Sequence, residues 1–329
     1  MSWSGRKVLV TGAGGFIGSH LAERLSELGA RVRAFVHYRG GQGRDGWLEN
    51  SPQRASMEVI AGDLTDRDCV AAAVEDVETV FHLGALIAIP YSYQAPYSYV
   101  RTNLEGSMNV FQAVRQRQTP RLVIASTSEV YGTAQQVPMT ESHPLRGQSP
   151  YSASKIAADK MAEAFWSSFN LPVVVLRPFN TFGPRQSLRA VIPTIIYQGL
   201  QGQKTIRLGN IHATRDFNFV ANTVDAFLAA GATKGIEGRT IHFGSGRETR
   251  IEELVQIIAR LLNVTLEIEV EETRLRPAAS EVDRLWADNA LARELLGLQP
   301  AVSLESGLEK TIAWARENLA LHRDASYAL

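Results

Sequence analysis

Tyr151 and Lys155 stand four residues apart, and shortly before them the chain carries Ser126, Thr127, Ser128 and Glu129. A phenol beside an ammonium can take the proton of a carbinol while hydride leaves the same carbon. Thr127 or Ser126 can hydrogen-bond that substrate oxygen. Glu129 adds something a simple alcohol oxidation does not need: a carboxylate that can remove a proton beside a newly formed ketone. The same carboxylate could instead cap a helix or pair with an arginine. Ser128 is no strong acid, so if water is eliminated its leaving hydroxyl takes a proton from Glu129 or through an ordered water.

These groups need a sheet edge and a helix to meet. The run Arg121 to Ala125 reads as a buried parallel strand, which delivers Thr127 to Glu129 to the carboxyl edge, where open α/β sheets place ligands. From Tyr151 onward Ala153, Ile156, Ala157, Met161, Ala162 and Phe165 recur at helical spacing, so Tyr151 and Lys155 share one face.

Upstream, Lys7 to Thr11 is a short apolar strand, and Gly12, Gly15 and Gly18 form G-x-x-G-x-x-G before a helix over 19–28. That context fits a tight turn, close approach of a pyrophosphate and close helix packing, with Phe16 and Ile17 beside the bound dinucleotide. The second strand, Arg31 to Val36, ends without the acid that usually meets the adenosine ribose; it runs into His37, Tyr38 and Arg39. Arg39, helped by Arg33 or Arg44, could pair with a 2′-phosphate, so NAD or NADP both stay open; the alternative is a solvated basic loop. The strand Met57 to Ala61 leads to Asp63 and Leu64, placed to meet the adenine, and the strand Val77 to Leu83 leads to Leu83, Gly84 and Ala85 against the cofactor. Ile87 to Tyr93 reads as an aromatic, proline-broken loop, and Asn103 to Arg115 as a helix with Asn103 near the Tyr151 helix.

The fold class is therefore α/β: a Rossmann-type doubly wound parallel sheet with a smaller, interleaved α/β substrate domain. The expected division is 1–180 and 211–248 for the dinucleotide, and 181–210 and 249–329 for the substrate. Asn180 follows the strand Leu171 to Leu176, and Arg185, Arg189, Arg215 and Arg276 fall in loops of the second lobe. Guanidinium forks there suit a diphosphate, although each arginine could equally form an ordinary surface ion pair. With 34 basic and 34 acidic residues among 329, no general pull toward nucleic acid or membrane follows. Metal-ligand spacings are lacking, so no metal is expected. The single cysteine, Cys69, the lack of an apolar leader and the lack of a long apolar run point to a cytoplasmic protein.

Together the motifs Thr11-Gly12-x-x-Gly15-x-x-Gly18, Asp63-Leu64, His82 to Ala85, Thr127 to Gly132, Tyr151 to Lys155, Arg177 to Asn180 and Arg215-Asp216-Phe217 resemble the extended short-chain dehydrogenase/reductase family of nucleotide-sugar enzymes over nearly the whole chain. Thr127-Ser128-Glu129 is similar to the 4,6-dehydratases, including the GDP-mannose type, while UDP-glucuronate decarboxylases carry similar residues. The runs Ala85 to Tyr93 and Pro178 to Ser187 look most like dehydratases of the legionaminic-acid pathway, which act on an N-acetylglucosamine nucleotide. Where the dTDP-glucose type has aspartate this chain has Ser128. The resemblance implies a lyase with a closed redox cycle on bound NAD or NADP. Tyr151 takes the C4 hydroxyl proton as hydride leaves, Glu129 removes the C5 proton, water leaves from C6, and hydride returns there. The implied substrate is a nucleotide-diphosphate sugar such as UDP- or GDP-N-acetylglucosamine, held by Asn180, Arg185, Arg215 and Arg276, in a homodimer. A decarboxylase, a 4-epimerase and a dinucleotide-sensing binding protein are the rival readings.

Overall fold

Apolar strands alternate with amphipathic helices throughout the computed structural model, which describes residues 2–38 and 44–322. The strands are β1 (Lys7–Thr11), β2 (Arg31–His37), β3 (Glu58–Gly62), β4 (Thr79–His82), β5 (Arg121–Ala125), β6 (Val173–Pro178), β7 (Asn180–Phe182), β8 (Thr205–Leu208), β9 (Thr214–Arg215), β10 (Phe217–Phe219), β11 (Thr240–Phe243), β12 (Thr249–Arg250) and β13 (Glu267–Val270). The helices are α1 (Phe16–Glu27), α2 (Arg67–Ala73), α3 (Ile89–Gln94), α4 (Pro96–Tyr99), α5 (Gly106–Arg117), α6 (Pro150–Phe169), α7 (Val191–Leu200), α8 (Val220–Ala232), α9 (Ile251–Leu262), α10 (Ala290–Leu296) and α11 (Leu304–Glu317). A π-helical segment, Val100–Glu105, joins α4 to α5.

Among the described residues seven strands pair in the order β11-β6-β5-β4-β1-β2-β3, all parallel. This is the expected Rossmann-type sheet, and its chain order reverses between β1 and β4, which opens a crevice at the carboxyl ends of those strands. Both faces are covered. Val8 and Val10 of β1 pack with Leu21 and Leu25 of α1 and Phe227 of α8, whereas Leu9 packs with Val70 of α2, Phe111 of α5 and Phe165 of α6. Burial on both sides explains why these strands read as unbroken apolar runs rather than alternating ones. Beyond the sheet, α7, α9 and α11 pack together, and β8 pairs in parallel with β13. No described helix is long and apolar enough to cross a membrane.

Of the stretch expected as a loop over 87–93, everything from Ile89 on is instead helical, a correction with a simple cause. Pro90 and Pro96 stand in the first turns of α3 and α4, where a missing N–H costs no helical hydrogen bond. Likewise α1 begins at Phe16, so Phe16 and Ile17 belong to its first turn. α6 is bounded by strong local signals. Ser149 and Ser152 form a reciprocal capping box, Pro150 opens the helix, and Asn170 closes it in the left-handed conformation.

Candidate active site

The glycine loop is built for close approach. Gly12 has φ +70°, and a Cβ there would lie 2.8 Å from the Gly84 Cα; one on Gly18 would lie 2.1 Å from the Gly12 carbonyl oxygen. α1 therefore starts from Gly15 with no side chain capping its first N–H groups and no acid in its first turn. Uncapped donors at the positive end of a helix fit a pyrophosphate, so a dinucleotide suits these residues. On the neighbouring strand Gly84 N–H donates to the Thr11 hydroxyl at 3.0 Å, which places Leu83 and Ala85 beside the loop. Leu64 packs beneath Gly84 and Gly106. Asp63 accepts the Thr65 N–H and hydroxyl at 2.8 Å each, and the N–H bond above all holds its carboxyl below the usual range.

The 2′-phosphate arginines fare differently. Arg39 lies outside the described residues, and Arg44 is exposed in a turn. Arg33 is turned to the other end of the sheet, where it binds Glu58 at 2.8 Å and the carbonyls of Ala73 and Glu75 at 3.0 and 2.6 Å. Its helper role is therefore withdrawn.

At the end of β5 the expected groups do meet. Tyr151 and Lys155 are both 7% exposed on one face of α6. The Lys155 ammonium donates to the Ala125 carbonyl at 2.6 Å, and the Thr127 hydroxyl stands near enough to the Tyr151 phenol to act on it. Burial pushes the phenol up, opposed by the Thr127 hydroxyl, while the field of Glu129 adds to the rise. Burial pulls the ammonium down, opposed by Asp159. Thr127, Ser128 and Glu129 form a short turn in which the Thr127 hydroxyl accepts the Glu129 N–H at 3.2 Å. The Tyr151 ring packs among Ile89, Tyr99, Leu86 and Tyr93, so the helices α3 and α4 wall the phenol. The π-helical segment turns Asn103 inward, where it accepts Leu86 N–H at 2.8 Å and donates to Ser154 Oγ at 2.9 Å.

Facing Glu129 are two of the four expected substrate residues. Arg276 Nη1 lies 4.0 Å from Glu129 Oε2 and 3.9 Å from Glu281 Oε1, and Arg215 Nη2 lies 3.5 Å from the same Glu281 oxygen. Buried Arg276 Nη1 has no hydrogen-bond partner among the described residues, which leaves a donor for an anionic ligand. Asn180 sits at the start of β7 with its Oδ1 buried and likewise without a partner. Arg185 is elsewhere. Its guanidinium forks onto Glu23 at 2.8 and 3.0 Å and reaches Ser19 Oγ at 3.1 Å, so it clamps α1 rather than facing Glu129.

Sequence reasoning passed over Glu281, Tyr99 and Asp159. For Asp159 a signal existed: it lies one turn after Lys155 on the same helix face. For Glu281 none did, because its partners are distant in the chain.

Residues 9–311 match the family described as GDP-mannose 4,6 dehydratase. The UDP-glucose 4-epimerase of Mycolicibacterium smegmatis is 32% identical over 315 residues, which cover 94% of this chain and 98% of that protein. UDP-glucuronic acid decarboxylase 1 of Xenopus tropicalis is 30% identical over 329 residues, covering 98% and 75% respectively. Among solved structures, DesIV, the dTDP-glucose 4,6-dehydratase of Streptomyces venezuelae with NAD bound, superposes with a TM-score of 0.85 at 27% identity, covering 96% of this chain and 98% of that one.

Proposed function

We propose, from the premise that this chain belongs to the GDP-mannose 4,6-dehydratase family of extended short-chain dehydrogenases/reductases, that it is a nucleotide-sugar 4,6-dehydratase. It is an NAD(P)-dependent enzyme that modifies nucleotide sugars, and the substrate we infer is an NDP-hexose such as UDP- or GDP-N-acetylglucosamine. One observation carries the reading: Glu129, 9% exposed, stands in the turn after β5 close enough to the Tyr151 phenol to act on it electrostatically. Epimerisation at C4 has no use for a base there, whereas loss of water across C5 and C6 needs one.

In this reading Gly12, Gly15, Phe16 and Ile17 hold the dinucleotide pyrophosphate, Asp63 and Leu64 flank its adenine end, and Leu83 and Ala85 line its path. Bound NAD(P)+ supplies the acceptor for the C4 hydride and stores it for return to the sugar. Tyr151, as the tyrosinate that Lys155 favours by its charge, takes the C4 hydroxyl proton and becomes the phenol, and Thr127 hydrogen-bonds the same oxygen. Glu129 removes the C5 proton, made acidic by the C4 ketone, and the C6 hydroxyl leaves as water with that proton from Glu129, with Ser128 as a neighbouring hydrogen bond; as hydride returns to C6, C5 regains a proton equivalent to the one Tyr151 took, which restores the tyrosinate. Arg215, Arg276 and Asn180 bind the diphosphate and sugar. Arg185 is reassigned as a clamp between lobes. We also propose that 1–180 and 211–248 serve the dinucleotide, that 181–210 and 249–329 serve the sugar nucleotide, and that α5 and α6 join two copies as a homodimer.

A panel of UDP-, GDP- and dTDP-sugars tests the reading: the product should be lighter by the mass of one water. Glu129→Gln should abolish that loss while the bound nicotinamide is still reduced in a single turnover. Full turnover in this variant would refute the assignment. A second reading, decarboxylation of UDP-glucuronate, is favoured by Arg276 beside Glu129, where a guanidinium could hold a sugar carboxylate. Release of carbon dioxide identifies it, and an isomer of unchanged mass identifies an epimerase.

A further inference from the structure

Asp159, 4% exposed, lies one turn beyond Lys155 on α6. Its Oδ2 accepts the Ser126 hydroxyl at 2.7 Å and Arg177 Nε at 2.9 Å, while Oδ1 is buried without a hydrogen-bond partner among the described residues. Ser126 directly follows Ala125, whose carbonyl receives the Lys155 ammonium. A single carboxylate thus ties the end of β5 to the helix that brings Tyr151 and Lys155 to it.

The row continues outward. Arg177 Nη1 donates to the Tyr131 hydroxyl at 3.1 Å, so that phenol donates in turn to His242 Nδ1 at 3.2 Å. His242 Nε2–H then donates to the Asp288 carbonyl at 2.7 Å, and its backbone N–H meets Glu141 at 3.0 Å. Asp159 is therefore held in place by β5 and β6 independently of Lys155. A buried ammonium loses its proton readily unless a negative charge stands nearby. Beside Lys155 stand His82 from β4 and the carboxylate of Asp159 from α6; of the other charged groups, Glu129 from the turn after β5 acts on Tyr151, and Arg177 from β6 pairs with Asp159. Of the acids, Asp159 is the one whose field supports the ammonium.

We propose that Asp159 is the positioning residue of the Tyr151 and Lys155 pair: it supplies the buried negative charge that keeps Lys155 an ammonium and, through Ser126, sets the Ala125 carbonyl that holds it. This rests on the reading that Lys155 serves Tyr151 in hydride transfer.

The test uses the enzyme with its bound nicotinamide and the variants Asp159→Asn, Asp159→Glu and Asp159→Asn with Arg177→Met. Acetylation of Lys155 by acetic anhydride across a pH series, read by peptide mass, needs no sugar, because only the neutral amine reacts. The midpoint should fall by about one pH unit or more in Asp159→Asn and be largely restored by Asp159→Glu. Nicotinamide reduction by UDP- or GDP-N-acetylglucosamine should lose its alkaline limb over the same shifted range. An unmoved midpoint in Asp159→Asn overturns the proposal, whatever happens to turnover. Should the lone Arg177 charge unfold that variant, the double variant, which removes both buried charges, must still show a midpoint below that of the parent. If neither sugar reacts, the acetylation midpoint still judges Asp159, and the failure belongs to the substrate reading.

Discussion

At the scale of single residues, His82 shows how neighbours fix a protonation state. The Ser107 hydroxyl donates to the Asn103 carbonyl, so it can only accept from His82 Nε2–H at 3.0 Å; Nδ1 then accepts from the Thr11 hydroxyl at 2.8 Å. Burial, with the Lys155 charge adding to it, pushes the ring down to about 3 from 6.5. The unfolded chain therefore binds a proton that the folded chain refuses. Stability from this residue is complete above the ordinary value and is lost as pH falls from there toward about 3. Between about pH 7 and about pH 5 the parent should lose roughly 2 kcal/mol more than His82→Gln, whose side chain does not titrate. Urea denaturation of both proteins at the two pH values measures the difference. His20 and His242, also pulled down mainly by burial, are present in both proteins and cancel. Equal pH slopes would remove His82 from the explanation of any acid lability.

At the scale of elements, the clearest device is the clamp between α1 and the segment that leads into α7. Arg185 adopts φ +71°, a left-handed conformation that a non-glycine residue takes only when its surroundings impose it. The imposing contacts are its fork onto Glu23 and the bond between His20 Nε2 and the Pro184 carbonyl at 3.1 Å. The pair is mostly buried, with side chains 18% and 14% exposed, so Glu23→Gln should cost about 2 kcal/mol in chemical denaturation. Because α1 opens at the dinucleotide loop, the same change should also loosen retention of the cofactor through gel filtration. Nothing local announces this clamp, since the two partners stand far apart in the chain. What was legible was local: glycine spacing after an apolar strand, the helical spacing of apolar residues from Tyr151 onward, and Tyr151 and Lys155 one turn apart on one helix face. Pro90 misled for the opposite reason, since a proline that breaks a helix and one that opens it look alike until the start of the helix is known. The ionic cluster of Arg215, Arg276 and Glu281 was half legible, because the arginines suggested a diphosphate but the carboxylate between them is a product of folding.

At the scale of the whole molecule, the two proposed ligand sites draw on different parts of the chain that meet at the Tyr151 site. The residues proposed for the dinucleotide gather around β1 and β4, while Arg276 and Glu281 lie beyond β13. Across the gap the Tyr93 hydroxyl of α3 meets Ser280 Oγ at 2.6 Å, and Ser280 also donates to the Gln148 carbonyl just ahead of α6. The segment bearing the arginine is thus latched to both walls of the Tyr151 site. Binding at either site should then stabilise the whole fold while remaining separable by mutation. At a ligand concentration about a hundred times its Kd, NAD alone and UDP or GDP alone should each add about 2.7 kcal/mol, a rise in Tm of roughly 4 °C for a chain of this size. Arg276→Ala removes one charge-assisted partner of the diphosphate, worth about 2 kcal/mol, or roughly thirtyfold in affinity. At unchanged nucleotide concentration the diphosphate shift should fall to about a third, whereas the NAD shift should stay whole. Scanning calorimetry of both proteins with each ligand reads this directly. If Arg276→Ala lost both shifts together, Arg276 would be a brace of the fold rather than a diphosphate ligand; if it lost neither, the diphosphate would have to be held without it.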